Sequence, residues 1–467
     1  MTAVPPLTTE VAPHPRRWHA LGLLGLAQFM LIVDVTVVAI ALPHMGADLG
    51  LDREALTWVV SAYTLAFGGL MLLGGRAADI FGPRRVVMAG LTVFTAASLL
   101  TGLADGPATV LVGRVAQGIG AALLSPAALS AVVRLFEGDE RNRALGIWSA
   151  LGGTGAAVGV LMGGVFTAGP GWAWVFFINV PVGVVILVVL TRVLPPLPAA
   201  GLRTRPDLLG ALLVTAATGS GIYALIGAGD EGWLSGRTLG FLGLAAALYL
   251  LFGVWQRTTT APLMNLELLF RRPVTAGTLV ILFGTALMVG IFFLGSFYLQ
   301  HQEGHGPMAT GLMFLPVALA TMAGATTAGR VIGSAGGRQV LVVGSVVATA
   351  GFLVPTLWDG TLAMVIGLTV AGAGIGTLFV VASATALGQV APEEAGLASG
   401  IVSTFHEFGA SVGAPVFSSV AAASLTGAVT TGFDRAFLVA AGVAVGSALV
   451  ALVLIPPRRK AGQDASA

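Results

Sequence analysis

Fourteen stretches of this chain are apolar enough and long enough to cross a bilayer, and this pattern restricts the fold more than any other feature. They fall near 18–43, 56–75, 85–104, 108–134, 144–167, 172–192, 208–228, 238–256, 274–299, 308–329, 338–356, 361–388, 395–421 and 435–456. A crossing helix needs about 20 apolar residues. The connections are short and rich in Gly, Pro and charge, the longest lying around 193–207 and 257–273. Hydrophobic residues make up 56% of the chain and charged residues 9%, far outside soluble usage. The sequence therefore predicts an all-α, polytopic membrane protein of 14 transmembrane helices. The first run is too long for a signal-peptide core and has no small-residue cleavage site, so it is expected to remain as a span.

Charge sets the expected orientation. With the N-terminus inside, 19 of the 23 Lys and Arg residues fall in cytoplasmic segments, among them Arg16, Arg17, Arg84, Arg85, Arg141, Arg143, Arg203, Arg205, Arg271, Arg272, Arg458, Arg459 and Lys460. Arg53, Arg237 and Arg435 fall outside, and Arg114 lies within a span. Cytoplasmic loops carry such an excess, so both termini are expected in the cytoplasm of a cell inner or plasma membrane protein.

Several functions are excluded by what the chain lacks. Without cysteine there is no disulfide framework, thiolate nucleophile or sulfur-ligated metal. The formal charge of +2 is too small to point to nucleic acid. Lys460 is the only lysine, so no phosphate-binding loop lysine exists, and no His-Glu-x-x-His motif occurs. His301 and His305 are four apart in an external loop with no clear third ligand, so no metal site is expected. The chain is not expected to be an enzyme and needs no cofactor.

Three places put ionisable groups deep in apolar runs: Asp34, Arg114 and the pair His406-Glu407. A charge at mid-membrane costs about 2.5–3.5 kcal/mol or more and is kept for a use. Asp34 is nine residues before Pro43, which ends the first run. That puts it roughly 14 Å below the outer end, and Arg114, entering from the outer side, lies roughly 9 Å down. The two lie at similar depth in the outer half, so Arg114 can pair with Asp34. Protonation of Asp34 would weaken that pair, which makes it a candidate gate for protons. The alternatives are a structural ion pair or an Arg114 bonded to backbone carbonyls. Glu407 lies roughly 15 Å in from the cytoplasmic side, near mid-membrane. It can serve the proton, a cationic substrate, or only a hydrogen bond to a neighbouring helix. His406 points about 100° away on the same helix, so the two are not expected to face one cavity squarely.

A weak internal repeat divides the chain. Gly74-Gly75-Arg76-Ala77-Ala78-Asp79-Ile80-Phe81-Gly82-Pro83-Arg84-Arg85 joins spans 2 and 3, and Gly329 to Arg338 joins spans 10 and 11. The expected domains are a six-helix bundle over 1–192, a linker with inserted spans 7 and 8 over 193–257, and a second six-helix bundle over 258–467. Repeats of this kind mark transporters whose two bundles rock about a central site. The glycines Gly155, Gly159 and Gly163 form one small-residue face on span 5, which lets helices approach closely. Phe29, Met30, Tyr63, Phe292, Phe293, Phe405 and His406 are candidates for lining the central cavity, weighed against ordinary packing.

These residues resemble the major facilitator superfamily, in its fourteen-span drug/proton antiporter branch of the quaternary-ammonium exporter type. Gly74, Arg76, Asp79, Gly82, Arg84 and Arg85 stand where the superfamily's signature loop places them. Asp34-x-Thr36 through Ala41-Leu42-Pro43 is similar to the branch's first-span motif, and Arg114-Val115-Ala116-Gln117-Gly118-Ile119-Gly120 to its fourth-span motif. Trp174 to Pro181, Tyr298-Leu299-Gln300 and Pro307 to Gly311 match later motifs in order. The chain departs from the pattern at Ala39 (usually Asn), Val160 (usually Pro), Ala173 (usually Arg) and His406-Glu407 (usually Arg-Gln). Its second hairpin also lacks the Asp of the first.

The resemblance implies proton-coupled efflux of amphipathic small molecules such as drugs, antibiotics or cationic lipophiles. The candidates for proton coupling are Asp34, Arg114 and Glu407, the last standing where the family pattern has no acid, and the first hairpin is the expected cytoplasmic gate. The expected partners are the substrate, protons and the lipid bilayer, with the chain acting as a monomer. A facilitator or importer of a small nutrient in the same fold remains the alternative; a membrane enzyme or receptor has no support in the residues.

Overall fold

The computed structural model describes residues 15–197, 199, 206–390, 394–425 and 431–456. Arg203, Arg205, Arg458, Arg459 and Lys460, counted above toward the cytoplasmic charge, lie outside the described residues. The fold is helical throughout those residues. The first bundle contains α1 (Arg17–Leu49), α2 (Arg53–Phe81), α3 (Pro83–Gly102), α4 (Pro107–Leu135), α5 (Gly138–Ala168), the short α6 (Trp174–Phe177) and α7 (Asn179–Val193). The hairpin of α8 (Leu208–Glu231) and α9 (Gly236–Thr258) follows. The second bundle contains the short α10 (Leu266–Leu269), α11 (Arg272–Phe297), α12 (Pro307–Ala335), α13 (Gly337–Leu357), α14 (Thr361–Leu387), α15 (Ala395–Val420), the short α16 (Ala422–Leu425) and α17 (Thr431–Leu454). A π-helical turn, Tyr298–Gln302, extends α11.

Among the described residues, 12 helices are long and apolar enough to cross a membrane, against the 14 expected. The two missing from that set are α5 and α15, and both differ for a visible reason. Helix α5 opens on Asp139, Glu140, Arg141 and Arg143, and its apolar part is confined to Thr154–Ala168. Helix α15 carries His406, Glu407, Thr404 and five serines among its 26 residues. In α5 the charges sit at the exposed start of the helix, and in α15 Thr404, Glu407, Ser411 and Ser418 are buried.

Local chemistry punctuates the helices. Asp52, Asp207, Ser235 and Asn265 cap α2, α8, α9 and α10 with side-chain oxygens. Pro83, Pro107 and Pro307 open α3, α4 and α12, where no amide hydrogen is needed. The internal repeat appears in the backbone itself. Gly82 turns α2 into α3 at φ 88 and ψ 139, and Gly336 turns α12 into α13 at φ 89 and ψ 143. Only glycine takes that conformation without strain.

The same symmetry governs packing. A Cβ on Gly74 would lie 1.9 Å from the carbonyl oxygen of Ala122, where α2 meets α4. A Cβ on Gly324 would lie 2.0 Å from that of Ala373, where α12 meets α14. We expect Gly74→Val to force these helices apart at a cost of about 1–3 kcal/mol or more. A heating series read by gel filtration checks this: the variant should lose its monodisperse peak several degrees below the parent.

The buried apolar side chains show how the bundles meet. One cluster contains Val37, Ile40, Leu42 and Met45 of the first bundle together with Leu287, Phe293, Leu299 and Phe314 of the second. Towards the other end of the helices the clusters separate. Ala20, Leu24, Ala78 and Phe136 belong to one, and Ala276, Ala328, Leu341 and Ala386 to another. The bundles are thus joined at the end containing Met45 and Leu299, and part toward the end containing the two glycine hairpins. The α8–α9 hairpin covers the seam between α2 and α15, with Leu213, Val214 and Phe252 packed on Ala398, Ile401 and Phe408.

Candidate functional site: a sealed ion pair beside a central cavity

Asp34 and Arg114 are each only 1% exposed. Arg114 Nη1 donates to Asp34 Oδ2 at 2.5 Å, and its Nε donates to the Val59 carbonyl at 2.9 Å. Arg114 therefore makes both the ion pair and the backbone bond weighed from the sequence. Gln117 follows Arg114 by three residues and shares its face of α4. Its Nε2 donates to Asp34 Oδ1 at 3.0 Å and to Ser98 Oγ at 2.8 Å. Asn179 Nδ2, at the start of α7, reaches the same two oxygens at 3.3 and 3.4 Å. The Arg114 guanidinium lies 4.3 Å from the centre of the Tyr63 ring. Gln117 and Asn179 stand in the motif stretches recognised in the sequence, but as pattern letters. Ser98 carried no signal.

Between the bundles lies a cavity of about 760 Å³. Its walls come from α1 (Gln28, Thr36), α2 (Val60, Phe67), α11 (Thr285, Phe292, Phe293), α12 (Thr321), α14 (Phe379) and α15 (His406, Glu407). Phe292, Phe293 and His406 line it as expected from the sequence. Phe29, Met30, Tyr63 and Phe405 do not. Phe29 packs on the joined cluster, and Met30 on the core of the first bundle. Tyr63 is fully buried under Arg114. Phe405 packs toward Phe408 and the α8–α9 hairpin. Aromatic periodicity marks a helix face as apolar but not which neighbour it meets.

His406 and Glu407 both line the cavity, contrary to the expectation from their 100° separation; the cavity wraps around α15 far enough to take both. The two differ in their bonding. His406 Nδ1 lies 2.9 Å from Thr285 Oγ1, which also lies 2.9 Å from the Ile281 carbonyl oxygen. Glu407 makes no hydrogen bond or ion pair to any described residue. It reaches the cavity because Gly68 of α2 leaves room, since a Cβ there would sit 2.7 Å from Glu407 Cβ. Asp34 is absent from the cavity wall, although Val35 and Thr36 beside it belong to it. The carboxylate open to a solute and the carboxylate locked to arginine are therefore separate sites.

The joined end is closed by specific contacts. Gln300 Nε2 donates to the Ile40 carbonyl at 3.1 Å across the bundles. Gly311 of α12 approaches α5 so closely that a Cβ would lie 2.6 Å from the Val160 carbonyl. Arg53, counted from the sequence as a plain external charge, is buried at a three-way junction. It donates to Ser418 Oγ at 3.0 Å and to the Ile226 carbonyl at 2.9 Å, and it pairs with Asp230.

The glycines of α5 pack on α1. A Cβ on Gly155, Gly159 or Gly163 would meet Ile32, Thr36 or Ile40. At the hairpin, Asp79 lies in the last turn of α2 and pairs with Arg134 of α4 at 3.2 Å. Arg84 donates to the Thr191 carbonyl at 2.7 Å, bracing the end of α7. Arg134 was missed although it stands in the last turn of α4, on the hairpin side.

Two six-helix bundles related by a repeat, with a cavity between them, define a secondary transporter fold. The family model of the Major Facilitator Superfamily matches residues 24–414 and 317–467, and the chain belongs to that family. It is 35% identical to the puromycin resistance protein pur8 of Streptomyces alboniger, over 97% of this chain and 94% of that protein. It is 35% identical to the cephamycin export protein CmcT of Amycolatopsis lactamdurans, over 87% of this chain and 86% of that one. A probable actinorhodin transporter of Streptomyces coelicolor is 34% identical, over 91% and 76%. Among solved structures, a bacterial homolog of the human lysosomal transporter Spinster, inward-facing and unoccupied, superposes with a TM-score of 0.67 at 14% identity. That likeness covers 94% of this chain and 97% of the other.

Proposed function

We propose that this protein exports amphipathic small molecules by alternating access, driven by protons moving the other way. The observation that carries the reading is the cavity of about 760 Å³, closed by cross-bundle contacts at one end and holding an unpaired carboxylate, Glu407. Its size lies within the range of small-molecule sites. Apolar walls with one charge and a few hydroxyls suit a greasy solute with a polar or cationic end. Named antibiotic resistance and export proteins among the relatives support the same substrate class. The quaternary-ammonium type of exporter fits the free carboxylate best.

In this reading Asp34 is the coupling residue. Charged, it holds Arg114 to α1; protonated, it releases Arg114 and lets the first bundle rearrange. The test is substrate flux in inside-out vesicles with and without a protonophore. Flux that stops on uncoupling supports export by antiport, whereas unchanged flux favours the rival reading, a facilitator of a small nutrient.

The positive charge of the hairpins supports a cytoplasmic position for the open end and for both termini. Helices α5 and α15 pack beside α1 and α2, which supports fourteen crossings. Residue 232, between α8 and α9, is then outside. A reporter fused at 232 should be active only if it functions outside the membrane; cytoplasmic activity there would overturn the topology.

A further inference from the structure

A second cavity, of about 410 Å³, opens at the hairpin end of the second bundle, where α13 begins and α17 ends. Its wall is formed by Gly336, Arg338 and Gln339 at one end and by Val342, Val343 and Leu452 along the rest. Val343 and Leu452 are 62% and 44% exposed, so apolar side chains face outward directly beside a guanidinium. Arg338 has no ion-pair or hydrogen-bond partner among the described residues. No Asp or Glu occurs from Gly304 through Trp358. In the first hairpin the arginine two residues after the turn glycine, Arg84, has a protein partner, for it donates to the Thr191 carbonyl. Beyond α17 the sequence adds three positive residues, Arg458, Arg459 and Lys460, against one acid, Asp464.

We propose that this groove binds one anionic phospholipid of the leaflet on the hairpin side, with its phosphate on Arg338 and an acyl chain along Val342, Val343 and Leu452. The headgroup supplies the acceptor that the Thr191 carbonyl supplies to Arg84 in the first half. The free amide hydrogens at the start of α13 add donors for the same phosphate. Which leaflet provides the lipid rests on the topology proposed above; the groove and its charge do not.

The test is retention of lipid by the purified full chain, counted by native mass spectrometry after exchange into mixed micelles of phosphatidylglycerol and phosphatidylcholine. The parent protein should keep phosphatidylglycerol in preference to phosphatidylcholine. Arg338→Gln should lower that retention about fivefold, the scale of one basic side chain at an anionic lipid surface. Arg338→Lys should restore most of it. Arg330→Gln, at an exposed arginine outside the groove wall, should leave it unchanged. Val343→Asp places a like charge in the groove and should also lower retention, which provides a second route if Arg338→Gln folds poorly on gel filtration. Equal retention by the parent, Arg338→Gln and Val343→Asp would overturn the proposal. So would competition by millimolar inorganic phosphate with no dependence on acyl chain, because the ligand would then be free phosphate. No gradient or drug is present, so a failure of the transport reading leaves this result intact.

Discussion

Asp34→Asn will abolish uphill export while leaving the protein in the membrane. The substitution removes the charge that holds Arg114 and the proton-binding oxygen with it, but preserves shape. Breaking one side of a buried pair costs about 3–5 kcal/mol, because the partner charge stays buried and unmatched. Arg114→Ala should be as severe, since it leaves Asp34 to Gln117 and Asn179 alone. The double variant Asp34→Asn with Arg114→Gln separates structure from coupling. It should recover much of the lost thermal stability and none of the gradient-driven transport. Undiminished uphill transport by Asp34→Asn would show that the sealed pair is only structural.

Glu407→Gln will give one of two patterns that assign the free carboxylate. If Glu407 holds cationic substrates by charge, the variant loses affinity for them and spares neutral ones. If it carries a proton, uphill transport of both classes falls while downhill exchange survives. The structure bears on the choice through position. Glu407 lines the cavity and Asp34 does not, so a solute in the cavity meets Glu407 first. A second proton site there would also shorten the path from Asp34 to the open end. We expect the proton pattern, with a loss of at least tenfold in uphill transport, the scale of a step in barrier of about 1.4 kcal/mol. Flux measured with one cationic and one neutral substrate, with and without a gradient, decides it. Unchanged flux for every substrate would make Glu407 a packing residue.

Much of this site was legible in the sequence because bilayer depth is a ruler. Counting residues from Pro43 and from the start of span 4 put Asp34 and Arg114 at similar depth, and the structure joins them at 2.5 Å. The glycine hairpins were equally plain, since a repeated Gly/Arg pattern has few other uses. What the ruler cannot supply is azimuth. Nothing local told Tyr63 to lie under Arg114 or Phe405 to turn toward α8, while Phe292 and Phe293 face the cavity. Azimuth also hid Gly68, whose missing side chain makes room for Glu407, and Ser98, which joins the ion-pair network from a third helix. Among the described residues 12 long apolar helices stand against the 14 segments read from the sequence. Helix α15 carries His406, Glu407, Thr404 and five serines, which lowers its apolar signal.

Reconstitution into liposomes tests the central claim most directly. Purified protein is sealed with a pH-sensitive dye inside, and an amphipathic cation is added outside without an imposed gradient. Proton-coupled exchange requires that each uptake of substrate be matched by proton movement in the opposite direction. The account predicts a substrate-dependent pH change inside the vesicles, absent in Asp34→Asn vesicles of equal protein content. Substrate entry with no pH change, or with the same change in Asp34→Asn, would contradict it.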